Sequence, residues 1–246
     1  VDVPVKDGRF DNDGDCRIAG VDGTAGELMV RFMNPAGSKT GKLLPTGRAL
    51  DVLDVPGVGS IEATILDVSN PMILVCAQDV GATAEETPDQ VNQNAPLMEK
   101  LEAIRALVAA KLGFCDSAET AAEQTPAIPK IGFFAPPVTY AALDGETVRA
   151  EDMDVCVRVI SVFKCHKACP LTSAGAISVA ARLPGSLLSR KLPALAALKE
   201  IRIGHPSGVM AMRPHFSQTK NGLDVTDVAV QRTARRIMEG TIYVKD

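Results

Sequence analysis

The sequence predicts an α+β fold. Strand-like and helix-like stretches are interleaved without the regular βαβ alternation of a doubly wound parallel sheet. Hydrophobic residues make up 46% of the 246 residues, aromatics only 4%, and Trp is absent, so the core must be aliphatic and alanine-rich. That length suits one large domain or two medium ones.

The elements follow in order. Val1-Asp2-Val3-Pro4-Val5 alternates like a strand in progress and meets a turn at Gly8. Gly26 to Met33 alternates after a glycine-rich loop, and residues 36–48 read as a loop. Ile61 to Leu66 and Met72 to Ala77 read as buried strands flanking a turn, Asp67-Val68-Ser69-Asn70-Pro71. Residues 82–94, polar and containing Pro88, read as loop. Pro96 to Phe114 is the clearest helix: Leu97, Leu101, Ile104, Val108 and Leu112 keep a 3–4 spacing, with Pro in the first turn and Gly113 at the end. Lys130 to Ala135 is a short strand closed by Pro136-Pro137. Glu151 to Phe163, acidic at its start, reads as a second helix, and Thr172 to Arg182 as a third, ending before Pro184-Gly185. Residues 201–246 return to strands, with Gln231 to Met238 either helical or extended and a last strand at Gly240 to Val244.

Composition excludes several classes. The net charge is −4, and no basic patch with interleaved aromatics suggests a nucleic-acid partner. No apolar run approaches the roughly 20 residues of a membrane span, and no secretory signal is visible. Six cysteines, at 16, 76, 115, 156, 165 and 169, are scattered as reduced thiols would be, which points to the cytoplasm.

Two segments carry the chemistry. His166-Lys167-Ala168-Cys169-Pro170-Leu171-Thr172-Ser173-Ala174-Gly175 and Gly204-His205-Pro206-Ser207-Gly208 place small hydroxyl residues and glycine where a turn hands over to an element. Unpaired N–H groups there suit a carboxylate or phosphate. The Asn70 amide donates two hydrogen bonds without carrying charge, and so also suits a carboxylate if it faces a cleft and not merely a turn.

Other motifs fall short. Gly37-Ser38-Lys39-Thr40-Gly41-Lys42 imitates a phosphate loop, but three residues separate the glycines and Leu43 follows the lysine. Its lysines read as solvated, although either could reach an anion. Ser161-Val162-Phe163-Lys164 and Lys39-Thr40-Gly41 stand in the wrong order for a penicillin-binding enzyme. Cys165, His166 and Cys169 offer at most three zinc ligands, so no metal is expected, and the two cysteines are read as packing on one face. No nucleophile elbow exists, and His205 lies too close to Ser207 for a triad pair. Cys169 precedes a helix start but reads as a buried thiol.

Taken together the chain resembles the PrpF family, which comprises 2-methylaconitate cis–trans isomerases with 4-oxalomesaconate tautomerases and methylitaconate isomerases as close relatives. The resemblance rests on Phe32-Met33-Asn34-Pro35-Ala36, Leu44-Pro45-Thr46-Gly47, Val55-Pro56-Gly57-Val58-Gly59, Pro129-Lys130-Ile131 through Ala135-Pro136-Pro137, Lys164 with His166, Gly204 to Gly208, and Arg232 through Met238-Glu239-Gly240. It implies a diaminopimelate-epimerase-like fold: two similar halves, each a mixed sheet around a central helix, with the active site between them. It further implies that the helix near Thr172 is a central helix, and that a substrate carboxylate is held by Thr172, Ser173, Ala174 and Gly175 together with His205, Pro206, Ser207 and Gly208, and by Asn70. Family members also carry a Gly-Asn-Cys-Gly-Asn segment and a catalytic lysine in the first half. Neither falls within these residues, so the chain is expected to correspond to the C-terminal two-thirds of such an enzyme. Residues 1–35 and the last strand at 236–246 would then belong to the first half, and residues 36–235 to the second.

The implied activity is a cofactor-independent proton shift beside a carboxylate in an unsaturated di- or tricarboxylate of the 2-methylaconitate type, as in propionate catabolism. The alternatives are an oxalomesaconate-type tautomerase and a non-catalytic carboxylate-binding domain. The catalytic base is expected in the N-terminal part of such an enzyme that these residues do not include, so no catalytic residue is assigned here and little turnover is expected from the 246 residues alone. The expected partner is the small-molecule acid. The oligomeric state stays open, a homodimer being one option.

Overall fold

Residues 1–219, 222–235 and 237–244 are described in a computed structural model. The chain opens with a small hairpin, β1 (Val5–Lys6) with β2 (Arg9–Phe10). Next come β3 (Leu28–Met33), β4 (Asp51–Val55), β5 (Gly59–Val68) and β6 (Asn70–Cys76). Four helices follow: α1 (Ala77–Val80), α2 (Pro88–Gln93), α3 (Ala95–Lys111) and α4 (Ala121–Gln124). β7 (Lys130–Ala135) leads to a second small hairpin, β8 (Tyr140–Ala141) with β9 (Thr147–Val148), and then to β10 (Val155–Ser161) and β11 (Lys164–Cys165). After α5 (Leu171–Arg182) and α6 (Leu187–Lys191), the strands β12 (Ile201–His205), β13 (Gly208–Thr219) and β14 (Gly222–Arg232) complete the fold.

Ten strands form one mixed sheet in the order β3-β14-β13-β12-β10-β7-β6-β5-β4, with β11 on the free part of β10. The β6–β7 and β10–β12 pairs are parallel, and every other described pair is antiparallel. Two apolar cores lie on the two faces. One gathers Ile65, Ile73, Val75 and Phe133 against α1, α2 and α3. The other gathers Leu66, Met72, Leu74, Phe134 and Ile203 against α5 and α6. Nine of the twelve α5 residues are buried, from Ser173 through Ala181. Most are Ala, Ser or Gly, which lets the helix lie close against the sheet, and a helix apolar on every side must be interior. This is the central helix that the resemblance implied.

Most elements stand where the sequence places them, and the departures have local causes. Glu151 to Phe163 does not form a helix: a short 3₁₀ turn, Ala150–Asp152, leads into the strand β10. Its Val-Cys-Val-Arg-Val-Ile run is β-branched at alternate positions and buried on both faces, which overrides the helix-like acidic start. The 82–94 segment contains α2, started by Thr87, whose hydroxyl accepts from the Gln90 amide while Gln90 accepts from Thr87 N. β4 had no sequence assignment. The turn before β6 is made by Ser69 at φ 62°, so Asn70 and Pro71 already belong to the strand. At the start, only Val5 and Lys6 pair as strand, although Asp2 bridges Met29. Gly240 to Val244 forms no strand: it has no ladder partner among the described residues, and Ile242, Tyr243 and Val244 are exposed. Arg236, Lys245 and Asp246, within the stretches read as 231–238 and 236–246, lie outside the described residues.

Candidate active site

Three strands end beside the α5 N-terminus, and their registers decide what faces it. Side chains alternate between faces along a strand. Met72 and Leu74 of β6 belong to the α5-side core, so Asn70 projects on that face too. Met72 pairs with Lys130, and Phe134 of β7 lies in the same core, which puts Lys130 on the α5 side. Ile160 pairs with Cys165, both in the opposite core. The next residue, His166, bonds its amide to the Val159 carbonyl at 2.8 Å and turns with Val159 toward α5.

The helix starts uncapped. Pro170 holds the N-cap position and gives no side-chain hydrogen bond. The first helical bond runs from the Ala174 amide to the Pro170 carbonyl, at 2.8 Å. The amides of Leu171, Thr172 and Ser173 therefore have no backbone partner among the described residues, while those from Ala174 onward are inside the helix. Ser173 is 2% exposed and its Oγ also has no partner. The half-buried Lys130 ammonium donates to Thr172 Oγ1 at 3.4 Å. Burial lowers the Lys130 pKa. Burial, and then the Lys130 charge, lowers that of His166, so its imidazole is neutral at pH 7. A small pocket of about 10 Å³ opens alongside, lined by Phe32, Val68, Ser69, Leu171, Thr172, Gly175, Met212 and Val228. Unpaired amides at the positive end of a helix, beside an ammonium and a neutral imidazole, can hold a carboxylate and stabilise negative charge that develops next to it.

Sequence reasoning missed Lys130 and His166 as site residues. Lys130 stood in the sequence as the opening of a strand and in a stretch that carries the resemblance, and His166 as the first residue of an anion-binding segment, a zinc candidate and a partner of Lys164 in the resemblance, neither with a role assigned. The readable signal was period-2 alternation, which sets an ionisable Lys130 on the same face as Phe134 in an otherwise apolar strand.

The Gly204–Gly208 turn joins this region differently from expectation. Ser207 Oγ donates to the Lys167 carbonyl, which ties the turn to the segment leading into α5. The Ser207 amide is already donated to His205 Nδ1 at 3.2 Å, and Pro206 has no N–H. Tyr140 Oη donates to the carbonyls of His205, at 2.6 Å, and Gly208, at 3.1 Å. Burial, and then the nearby Arg158 charge, pushes His205 down to about 4. The turn is thus held by its own hydrogen bonds, with the Ser207 amide engaged by His205 Nδ1 and the Ser207 hydroxyl by the Lys167 carbonyl.

The phosphate-loop imitation proves to be an anion nest filled from within. Asp67, fully buried in β5, accepts from Lys39 N at 2.7 Å, Thr40 N at 2.8 Å, Ser38 Oγ at 2.9 Å and Thr40 Oγ1 at 3.0 Å. Its anion is a carboxylate of the chain itself, which fixes the 36–43 loop to the strand leading to Ser69. The cysteines behave as inert packing. Cys169 is fully buried, and burial raises its thiol to about 12, too high for a nucleophile at neutral pH. Cys165 and Cys169 lie in different cores and do not share a face. No group of three metal-binding side chains occurs among the described residues.

The ten-stranded mixed sheet, with the buried helix α5 against one face and that helix's N-terminus beside a small pocket, agrees with the diaminopimelate-epimerase-like fold that the resemblance implied. Within it, the chain belongs to the PrpF protein family, which it matches over residues 1–245. It is 41% identical over 245 residues to the 3-methylitaconate isomerase of Eubacterium barkeri, covering 99% of this chain and 63% of that protein. It is 39% identical over 246 residues to the 2-methyl-aconitate isomerase of Shewanella oneidensis, covering 98% and 61%. A crystal structure of methylitaconate-delta-isomerase superposes with a TM-score of 0.89 at 39% identity, over 98% of this chain and 62% of that one. The chain thus spans a little over three fifths of the length of these relatives. No helix among the described residues is long and apolar enough to cross a membrane.

Proposed function

We propose that this chain forms the carboxylate-binding part of an isomerase that moves a proton beside a carboxylate in an unsaturated di- or tricarboxylate of the 2-methylaconitate or methylitaconate type. The observation that carries the reading is the α5 N-terminus, where three amides and the buried Ser173 hydroxyl have no partner among the described residues. Similarity to relatives named as isomerases of such acids supports the same reading.

In this reading a substrate carboxylate accepts from Leu171 N, Thr172 N and Ser173 N, with Asn70 offering its amide from the end of β6. Gly175 leaves room for the carbon skeleton, and the His205–Gly208 turn holds the approach to α5 in place. Removing a proton from the carbon next to that carboxylate spreads negative charge onto its oxygens, where donors that need no rearrangement stabilise it most. His166, neutral and half-buried, is suited to accept a proton. No step requires a redox cofactor. An oxalomesaconate-type tautomerisation would use the same donors, and a relative 32% identical over 232 residues bears the name (4E)-oxalomesaconate Delta-isomerase.

Calorimetric titration with trans-aconitate tests the binding role. The wild-type chain is expected to bind it, and Ser173→Ala together with Thr172→Val to weaken it, while Ser207→Ala has the smaller effect. Equal affinity in wild type and the Ser173/Thr172 double variant overturns the assignment of the site. An ultraviolet assay of 2-methylaconitate and oxalomesaconate turnover separates the two chemistries.

A further inference from the structure

We propose that the fork where β13 and β14 part is a second ligand site, one that holds a phosphate group between Arg17 and Arg232. No residue of α5 or of the segment leading into it lines this fork, so the inference stands independently of the reading of that helix.

The fork follows from the strand pairing. β13 and β14 pair as far as Met212–Val230. Beyond that point β13 continues along β12 to His205–Gly208, whereas β14 continues along β3 through Gln231–Met29 and Arg232–Leu28. A cavity of about 160 Å³ opens where the ladder ends. Its third side is the segment from Arg17 to Ala19, which is fixed on both flanks. Cys16 exchanges backbone hydrogen bonds with Ala25 at 3.2 Å. Ala19 lies so close to the turn that a Cβ added to Gly208 would stand 2.8 Å from its own.

Charge decides what the cavity can hold. Arg17, Arg202 and Arg232 line it against a single acid, Glu200. Glu200 accepts from Arg213 Nε at 2.7 Å, and Arg202 donates to Asp154 at 2.8 Å, so both are neutralised by partners of their own. Arg17 and Arg232 have no carboxylate partner among the described residues. Half-buried Arg232 gives one hydrogen bond, from Nη1 to the Gln231 carbonyl at 2.8 Å, and the rest of its five donors are left for a ligand. Burial lowers the Arg232 pKa with no acid to offset it, whereas the Asp154 hydrogen bond raises that of Arg202. A half-buried cation without an internal counter-ion is costly unless something else brings the negative charge.

Shape selects phosphate. Two planar guanidinium forks reach the cavity from different elements. A carboxylate has two oxygens in one plane and matches one fork. A phosphate group has three terminal oxygens set tetrahedrally and a charge of about −1.5 to −2, so it can meet both. The space holds roughly ten water-sized volumes, enough for one phosphate and a short ester arm against Ile18 and Met210.

Calorimetric titration of the 246-residue chain with inorganic phosphate and with ethyl phosphate, at constant ionic strength, tests the site. Arg17→Met and Arg232→Met should each weaken binding by about tenfold, the loss of a charge-assisted hydrogen bond. Arg232→Lys should still lose about threefold, because an ammonium cannot form the fork. Arg190→Met, which removes an exposed charge from α6, should change affinity by less than about twofold, as should Ser173→Ala with Thr172→Val. Circular dichroism checks folding, and the exposed Arg17 position keeps the test decisive if Arg232→Met does not fold. Ethyl phosphate binding at least as tightly as inorganic phosphate identifies the ligand as a small phosphomonoester. Inorganic phosphate binding about tenfold tighter identifies it as the free ion, and both results support the site. The proposal is overturned if neither anion binds, if acetate binds as tightly as phosphate, or if neither arginine variant weakens binding. A loss confined to the Ser173/Thr172 variant assigns the anion to α5 and overturns it equally.

Discussion

The internal anion nest gives the sharpest quantitative test. Asp67 is fully buried and accepts four hydrogen bonds, two from the backbone of the 36–43 loop and two from hydroxyls. A hydrogen bond to a charged group contributes about 1.5–3 kcal/mol. The four do not add, because Ser38 and Lys39 are exposed and can turn to water. Asp67→Ala should therefore cost about 3 kcal/mol, close to the loss of one and a half such bonds. Asp67→Asn keeps an oxygen for the two amides and can donate to Ser38 Oγ, so it should cost about 1 kcal/mol. Urea unfolding with an unchanged slope measures both. Formate should partly restore Asp67→Ala by re-entering the nest, adding about 1.4 kcal/mol at ten times its Kd, with no such effect on the wild type. A loss below about 1 kcal/mol for Asp67→Ala, or equal formate stabilisation of both proteins, would refute the nest.

Three further outcomes follow from the α5 region and its support. Thr172→Asp puts a carboxylate at the helix N-terminus beside Lys130; it should stabilise the fold by about 0.3–1 kcal/mol and abolish trans-aconitate binding, as read by thermal unfolding and calorimetry. Gly175→Ala adds a methyl whose nearest neighbours are Val228 Cγ1 at 3.7 Å and Val68 Cγ1 at 3.9 Å, both ordinary contacts. The helix should gain about 1 kcal/mol, raising Tm by about 2–4 °C, while ligand affinity falls because the methyl enters the cavity; a lower Tm would contradict this packing. His205 titrates near 4 when folded, below its unfolded value, so the unfolded chain binds the extra proton and stability is lost as pH falls from about 6.5 toward 4. Between pH 7 and 5 this is about 2 kcal/mol, and His205→Asn should flatten that slope in urea midpoints measured at the two pH values.

Much of the fold was legible because its elements announce themselves locally. The α3 helix shows a 3–4 apolar spacing between a proline and a glycine, and β7 is bounded by prolines, so both are readable within ten to twenty residues. β10 was not, because it is buried on both faces. A strand covered by helices on each side shows no polar alternation and can be mistaken for a helix segment, and an acidic prelude at Glu151 and Asp152 tips the reading the wrong way. The site was half legible for a related reason. Hydroxyl and glycine residues before a helix mark an uncapped N-terminus, which pointed to Thr172 and Ser173. Lys130 reaches the same place only through the register Met72–Lys130, which joins residues distant in sequence, and His166 through the local Ile160–Cys165 pairing, which no sequence signal announced.

The two anion cradles of this chain explain each other. In the 36–43 loop the backbone donors converge on Asp67, so the negative charge is built in and the loop becomes a rigid wall beside Ser69 and Asn70. At α5 the corresponding donors, the buried Ser173 hydroxyl and the Lys130 ammonium meet no carboxylate among the described residues. Donors that nature of folding alone would satisfy are left open at one cradle and filled at the other, although β5, β6 and β7 bring strand ends to both. Leaving them open lowers stability, because an unsatisfied buried donor costs about 1–3 kcal/mol. A site that forgoes that stabilisation is organised for a ligand that supplies the missing charge, and the Thr172→Asp variant turns the comparison into an experiment: given its own carboxylate, the α5 cradle should become what the Asp67 nest already is, more stable and closed to anions.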